Sequence, residues 1–142
     1  MITHIGHAAY VVADIEQSLD FYCAKLGLRE AFRLNNDAGE LWIVYLLVGQ
    51  GGFVELFPGG SERGGEVTGS YRHLCLAVDD MAATLRDLAA RGLPIEGEAT
   101  RGKDGNLQYW LTDPDGNRIE LMEMAPSSLQ AAALRDAGAS AP

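Results

Sequence analysis

The chain has 142 residues, 47% of them hydrophobic and 22% charged, with 11 basic residues against 20 acidic ones and a formal net charge of -9. That length and apolar fraction predict one compact domain, and the acidic balance excludes a general affinity for nucleic acid or anionic membranes, because phosphate binding depends on Lys and Arg. The longest apolar run, Leu41 to Val48, is less than half of the roughly 20 residues that span a bilayer, and no basic segment followed by an apolar one opens the chain. The expectation is a soluble, cytoplasmic protein. Cys23 and Cys75 stand outside any C-x-x-C pair and read as small buried hydrophobes.

In chain order, His7 to Val12 reads as a strand, and Asp14 as the N-cap of a helix carrying Ile15, Leu19, Tyr22 and Leu26 on one face, with Gln17 placed for a capping box. Gly27 fits the left-handed position just past that helix. Strands follow at Arg29 to Leu34, Leu41 to Val48 and Gly52 to Phe57, with Asn35 to Gly39 as a turn. The Pro, Gly and Ser-rich stretch Pro58 to Ser70 reads as a linker, since no helix follows directly to make it a phosphate loop.

The pattern then repeats. His7 and Asp14 recur 66 positions later as His73 and Asp80. A second helix carries Met81, Leu85 and Leu88 and ends at Gly92. Strands are predicted at Ile95 to Ala99, Leu107 to Leu111 and Asn117 to Glu123, with Asp113-Pro114-Asp115-Gly116 as a strong turn. Glu55 and Glu120 each lie 28 residues beyond their helix-ending glycine. The prediction is an α+β domain over residues 1–125 made of two tandem βαβββ modules, about 2–58 and 71–124, joined by a linker at 59–70 and followed by an Ala-rich tail at 126–142. Within that tail, Leu129 to Ala137 has helical character, fraying towards the end.

Strand alternation puts His7 with Ala9 and Val11 on one face, and His73 with Cys75 and Ala77, leaving small neighbours beside each histidine. Glu55 and Glu120 interrupt otherwise apolar strands, where a carboxylate is costly unless paired or bound to a cation. Taken singly, each of these four also fits a solvated strand glutamate or a satisfied histidine. Taken together, at equivalent places in two halves, they supply an N2O2 set for a divalent metal. His4 has Ser70 as its repeat partner and points to the other face, so it is not read as a ligand. Arg33, Arg72 and Lys103 fit a substrate anion or, more simply, surface charge. Trp42, Tyr45, Tyr109 and Trp110 fit a pocket wall or, as strand aromatics, a core.

These residues resemble the vicinal oxygen chelate superfamily (the glyoxalase, bleomycin resistance protein and dioxygenase family), and within it glyoxalase I, or lactoylglutathione lyase. The resemblance covers roughly residues 2–124, through the H-x6-D segments and the closing Asp113 to Glu123. It implies paired βαβββ modules curling into an open metal-binding barrel, often completed across a homodimer interface. It assigns His7, Glu55, His73 and Glu120 as metal ligands, with Glu120 or Glu55 as catalytic base. The implied reaction moves a proton beside a carbonyl of a small-molecule substrate with vicinal oxygens, using Ni, Co, Zn or Mn. Alternatives within the resemblance are an Fe(II) dioxygenase using His7, His73 and Glu120, or a protein that binds a drug without chemistry. The positions matching the family's glutathione-contacting arginine and asparagine are Val11 and Gly59, which do not support glutathione recognition.

Overall fold

The computed structural model describes residues 5–49, 51–60 and 73–136. The described strands form two four-stranded sheets of the same topology. The first holds β1 (His7–Val12), β2 (Arg29–Asn35), β3 (Leu41–Val48) and β4 (Gly52–Pro58) in the order β1-β4-β3-β2. The second holds β5 (Leu74–Val78), β6 (Thr100–Arg101), β7 (Leu107–Thr112) and β8 (Arg118–Glu123) in the order β5-β8-β7-β6. In each, the first strand runs parallel to the last and the other neighbours are antiparallel. Parallel pairing needs a crossover, and helices α1 (Ile15–Leu19) and α2 (Met81–Ala90) lie in the two crossovers. The repeated βαβββ fold read from the sequence is therefore the one observed. Contacts divide the chain into two compact units, Met1–Glu66 with Asp113–Gly116, and Val67–Thr112 with Asn117–Pro142. His4, Arg72 and most of the expected linker lie outside the described residues.

In the first unit, one sheet face carries the buried Tyr10, Val12, Val44, Leu46, Val54 and Leu56. The Asp14 side chain accepts from the backbone N–H of Glu16 and Gln17, which satisfies two of the unpaired donors that begin α1. The regular helix expected up to Leu26 instead widens after Leu19 into a π-helical segment, Asp20–Lys25, closed by Leu26 N–H donating to Phe21 O. The wider turn buries two consecutive aromatics, Phe21 and Tyr22, edge to face at 5.1 Å, where the simple helical period singled out only Tyr22. Gly27 takes the positive φ of 84° that ends the helix.

The Asp113–Gly116 turn belongs to this unit. Tyr22 Oη donates to Asp113 Oδ2 at 2.6 Å, and the Ala13 N–H donates to Asp115 Oδ1 at 2.8 Å. Both partners of the first bond are buried, and a buried carboxylate deprived of its donor is costly.

The second unit packs Tyr109, Leu111, Ile119 and Leu121 as the buried side of its sheet, with Met81, Leu88 and Leu93 from α2 and the turn after it also buried. Asp80 caps α2 by accepting from Ala83 N–H, and Gly92 ends the helix at φ 88°. The strand expected over Ile95 to Ala99 is absent; only Thr100–Arg101 pairs with β7. Gly97 adopts a positive φ of 72°, which breaks an extended run. The Tyr109 hydroxyl takes the place of a neighbouring strand there, accepting from Glu96 N–H at 2.8 Å and donating to Glu96 O at 3.0 Å. The tail forms α3 (Leu129–Asp136). It is tied down through buried Asn106, whose amide donates to Gln130 and Asp104 and whose carbonyl accepts from Ala125 N–H.

Replacing Tyr22 by Phe is expected to cost about 1–3 kcal/mol, because Asp113 stays buried with one donor fewer. Urea unfolding of the Tyr22→Phe protein checks this; a change below about 0.5 kcal/mol, the range of a neutral surface substitution, contradicts it.

Candidate functional site

Cross-strand register places the four predicted residues. In the first unit, Glu55 on β4 stands opposite Ala9 of β1 and Tyr45 of β3. His7 lies two residues before Ala9, hence on the same face, and its Nδ1 is 3.4 Å from Glu55 Oε1. In the second unit, Glu120 on β8 stands opposite Cys75 of β5 and Trp110 of β7. His73 lies two residues before Cys75, and its Nε2 is 3.0 Å from Glu120 Oε2. The same strand register is therefore built twice, with Nδ1 of His7 and Nε2 of His73 facing the carboxylates. Among the described residues, no three or more His, Cys, Asp or Glu side chains are gathered into one group, so each unit presents one imidazole–carboxylate pair.

Burial within each pair is lopsided. Glu55 and Glu120 are only 5% and 7% exposed, whereas the His7 and His73 side chains keep 55% and 34% of their surface accessible. Deep carboxylates beneath open imidazoles give donors anchored at one end and approachable at the other. With metal–donor bonds of about 2.1 Å, adjacent ligands in an octahedral or tetrahedral shell lie about 3.0–3.4 Å apart. Both pairs match that separation, and the imidazole and carboxylate donors suit a first-row divalent ion.

The surroundings of the two carboxylates differ. The Tyr45 hydroxyl faces Glu55, and interaction with that carboxylate, followed by burial, raises the tyrosine's pKa. Phe32 stacks on Tyr45 at 4.3 Å and Phe53 meets it edge to face at 6.1 Å, forming an aromatic group beside the pair. In the second unit the residue opposite the carboxylate is Trp110, which has no hydroxyl; it meets His73 edge to face at 4.9 Å, and Arg118 Cζ sits 4.0 Å over its ring. The Cys75 thiol faces Glu120 from the neighbouring strand. Although Cys75 keeps an exposed edge, partial burial and then the Glu120 charge push its pKa up to about 11, so it is a thiol at neutral pH.

Several sequence expectations change here. Cys75 is exposed and Cys23 half-buried rather than both core hydrophobes; Cys75 shares the open face of His73, as strand alternation requires. Tyr109 is core, but Trp42 and Trp110 are exposed and Tyr45 half-buried, since the last two face the carboxylates. Arg33 is held by Glu30 through two hydrogen bonds of 2.7 and 2.8 Å, and Lys103 lies in the turn before β7. The sequence reading did not single out Arg118, whose signal was its place two residues before Glu120 in the closing motif.

A family model described as the Glyoxalase/Bleomycin resistance protein/Dioxygenase superfamily matches residues 4–121. The chain belongs to this superfamily. Among superfamily relatives, a Vibrio cholerae protein named "Probable lactoylglutathione lyase" is 28% identical, over 84% of this chain and 89% of its own. A Bacillus subtilis protein named "Catechol-2,3-dioxygenase" is 32% identical over 89% of this chain, which spans 43% of that longer protein. The fold is shared with a solved member of the superfamily from Sphaerobacter thermophilus, with a TM-score of 0.68 and 27% identity over 87% of this chain and 98% of that one. No described helix is long and apolar enough to cross a membrane.

The raised thiol pKa gives a direct check on the second pair. In metal-free Cys23→Ser protein, alkylation of Cys75 by iodoacetamide is expected to keep rising from pH 7 to 10, because the thiolate that reacts becomes half-populated only near pH 11. A plateau between about pH 8.5 and 9.5, as for an ordinary thiol, contradicts the described surroundings of Glu120.

Proposed function

We propose that this protein is a divalent-metal-dependent enzyme that moves a proton beside a substrate carbonyl, a lyase or isomerase of the lactoylglutathione lyase type, with His7, Glu55, His73 and Glu120 holding the ion. The observation that carries the reading is the doubled pair, two buried carboxylates each 3.0–3.4 Å from its own imidazole nitrogen. Once bound, a divalent ion supplies Lewis acidity that stabilises negative charge developing on substrate oxygens.

The remaining chemistry falls to the chain's own residues. Glu55 faces the Tyr45 phenol, whose interaction with the carboxylate raises the tyrosine's pKa. Glu120 faces the Cys75 thiol, a weak donor, and lies 3.0 Å from His73, against 3.4 Å from His7 to Glu55. We assign Glu120, the carboxylate that both readings of the ligand set use, as the general base, and Glu55 as a ligand. The small side chains of Ala9 and Ala77 leave room in front of each histidine. Val11 and Gly59 offer no polar side chain for a peptide-like thiol such as glutathione, so the substrate assigned here is another small molecule with adjacent oxygens.

The dioxygenase relative supports a second reading, in which Fe(II) held by His7, His73 and Glu120 would activate dioxygen. That set leaves Glu55 without a role, although Glu55 is the more buried carboxylate and has two partners of its own. The first reading uses all four.

The test is exchange of the substrate C–H with D2O, followed by NMR across α-hydroxycarbonyl compounds and hemithioacetals with Ni(II), Co(II), Zn(II) or Mn(II) present. Exchange is expected without dioxygen, and Glu120→Gln is expected to slow it by about 100-fold or more, the usual worth of a positioned base. Turnover that requires dioxygen would replace this reading with the oxygenase one. Exchange unaffected by Glu120→Gln would remove the base assignment.

A further inference from the structure

Arg118 lies on β8 two residues before Glu120, on the same face of the strand, and its guanidinium rests 4.0 Å above the Trp110 ring. Trp110 in turn meets His73 at 4.9 Å, and His73 meets Glu120 at 3.0 Å. The four side chains form one continuous row on a single sheet. Arg118 is exposed and makes no ion pair with any described carboxylate, whereas Arg33, Arg91 and Lys25 are each held by an acidic neighbour. Stacking on an aromatic ring occupies the flat face of a guanidinium and leaves its N–H edges free, in the fork geometry that matches a carboxylate. The ring also fixes the side chain, so little rotamer entropy remains to be lost when an anion arrives. At the equivalent place in the first unit, two residues before Glu55, stands Phe53, so this position carries a cation only beside the second pair.

We propose that Arg118, seated on Trp110, is the specificity-determining residue of the site, binding an anionic group of a substrate whose adjacent oxygens meet the His73–Glu120 pair. The substrate class is then an organic acid carrying a carboxylate a few bonds from its reactive oxygens, rather than a neutral carbonyl compound. This rests on the reading of His73 and Glu120 as part of the reactive site. The net charge of -9 disfavours anions in general, so a preference for the more negative of two ligands requires a local cation.

Two five-carbon acids separate the cases. 2-Hydroxyglutarate and 2-hydroxypentanoate share the same vicinal hydroxyl and carboxylate and differ only in ending in a carboxylate or a methyl group. Their dissociation constants would be measured by calorimetry on the full chain, with and without Ni(II). The natural protein is expected to bind 2-hydroxyglutarate about tenfold or more tightly than 2-hydroxypentanoate. Arg118→Met, which keeps a flexible apolar cover on Trp110, is expected to bring the ratio to within about twofold of one, and Arg118→Lys to leave an intermediate ratio. A merely structural role for Arg118 would weaken both acids alike and leave the ratio intact. A ratio near one in the natural protein, a ratio unchanged in Arg118→Met, or no binding of either acid overturns the proposal. If the ratio behaves as expected but neither affinity responds to Ni(II), Arg118 keeps its role and the metal reading falls.

Discussion

Glu55 and Glu120 are carboxylates placed in the middle of apolar strands and almost wholly removed from water, a placement that costs several kcal/mol unless each finds a partner. The fold answers that constraint twice by the same device. A parallel strand lies beside the carboxylate strand, in a register that sets a small residue, Ala9 or Cys75, directly opposite the glutamate. The histidine two residues earlier then falls on the same face and reaches the carboxylate. The helix between the two strands is what makes parallel pairing possible, so its cap at Asp14 or Asp80 and its glycine stop serve the site as much as the core.

Two copies of one unit would give a symmetric site, but the neighbours of the glutamates have diverged. Tyr45 and Trp110 stand opposite the two carboxylates; the first adds a hydroxyl donor and the second a ring that carries Arg118. Phe53 and Arg118 occupy the matching positions two residues before each carboxylate, one closing an aromatic group and the other presenting a charge. In this account each unit holds its glutamate against an imidazole, and the second adds a cation beside the pair. The division of roles follows from a few side chains on a common scaffold, as expected where function is set by the residues of a site rather than by its fold.

Much of this was legible in the sequence because it rests on local periodicity. The two-residue alternation of His7 to Val12 fixed which side chains share a face, and the recurrence of His and Asp at a spacing of 66 exposed the doubled unit before any strand was paired. What escaped depended on long-range contact. The π-helical widening at Asp20–Lys25 accompanies the burial of Phe21 beside Tyr22, and Tyr22 reaches a carboxylate 91 positions away. The strand expected at Ile95 to Ala99 was lost to the backbone of Gly97 and to a hydroxyl from Tyr109. Cys75 looked like a core residue by composition, although its parity with His73 already placed it on the open face. Arg118 was visible in the closing motif, but its meaning came only with the ring beneath it.

The central claim is that the two imidazole–carboxylate pairs are halves of one metal site. Metal content per chain, measured after dialysis against Ni(II) for the natural protein, His7→Ala and His73→Ala, tests it most directly. The account predicts one tightly held ion per chain, lost on either substitution, because each removes a ligand from the same shell. Two ions per chain with one surviving each substitution, or no retained ion at all, would contradict it.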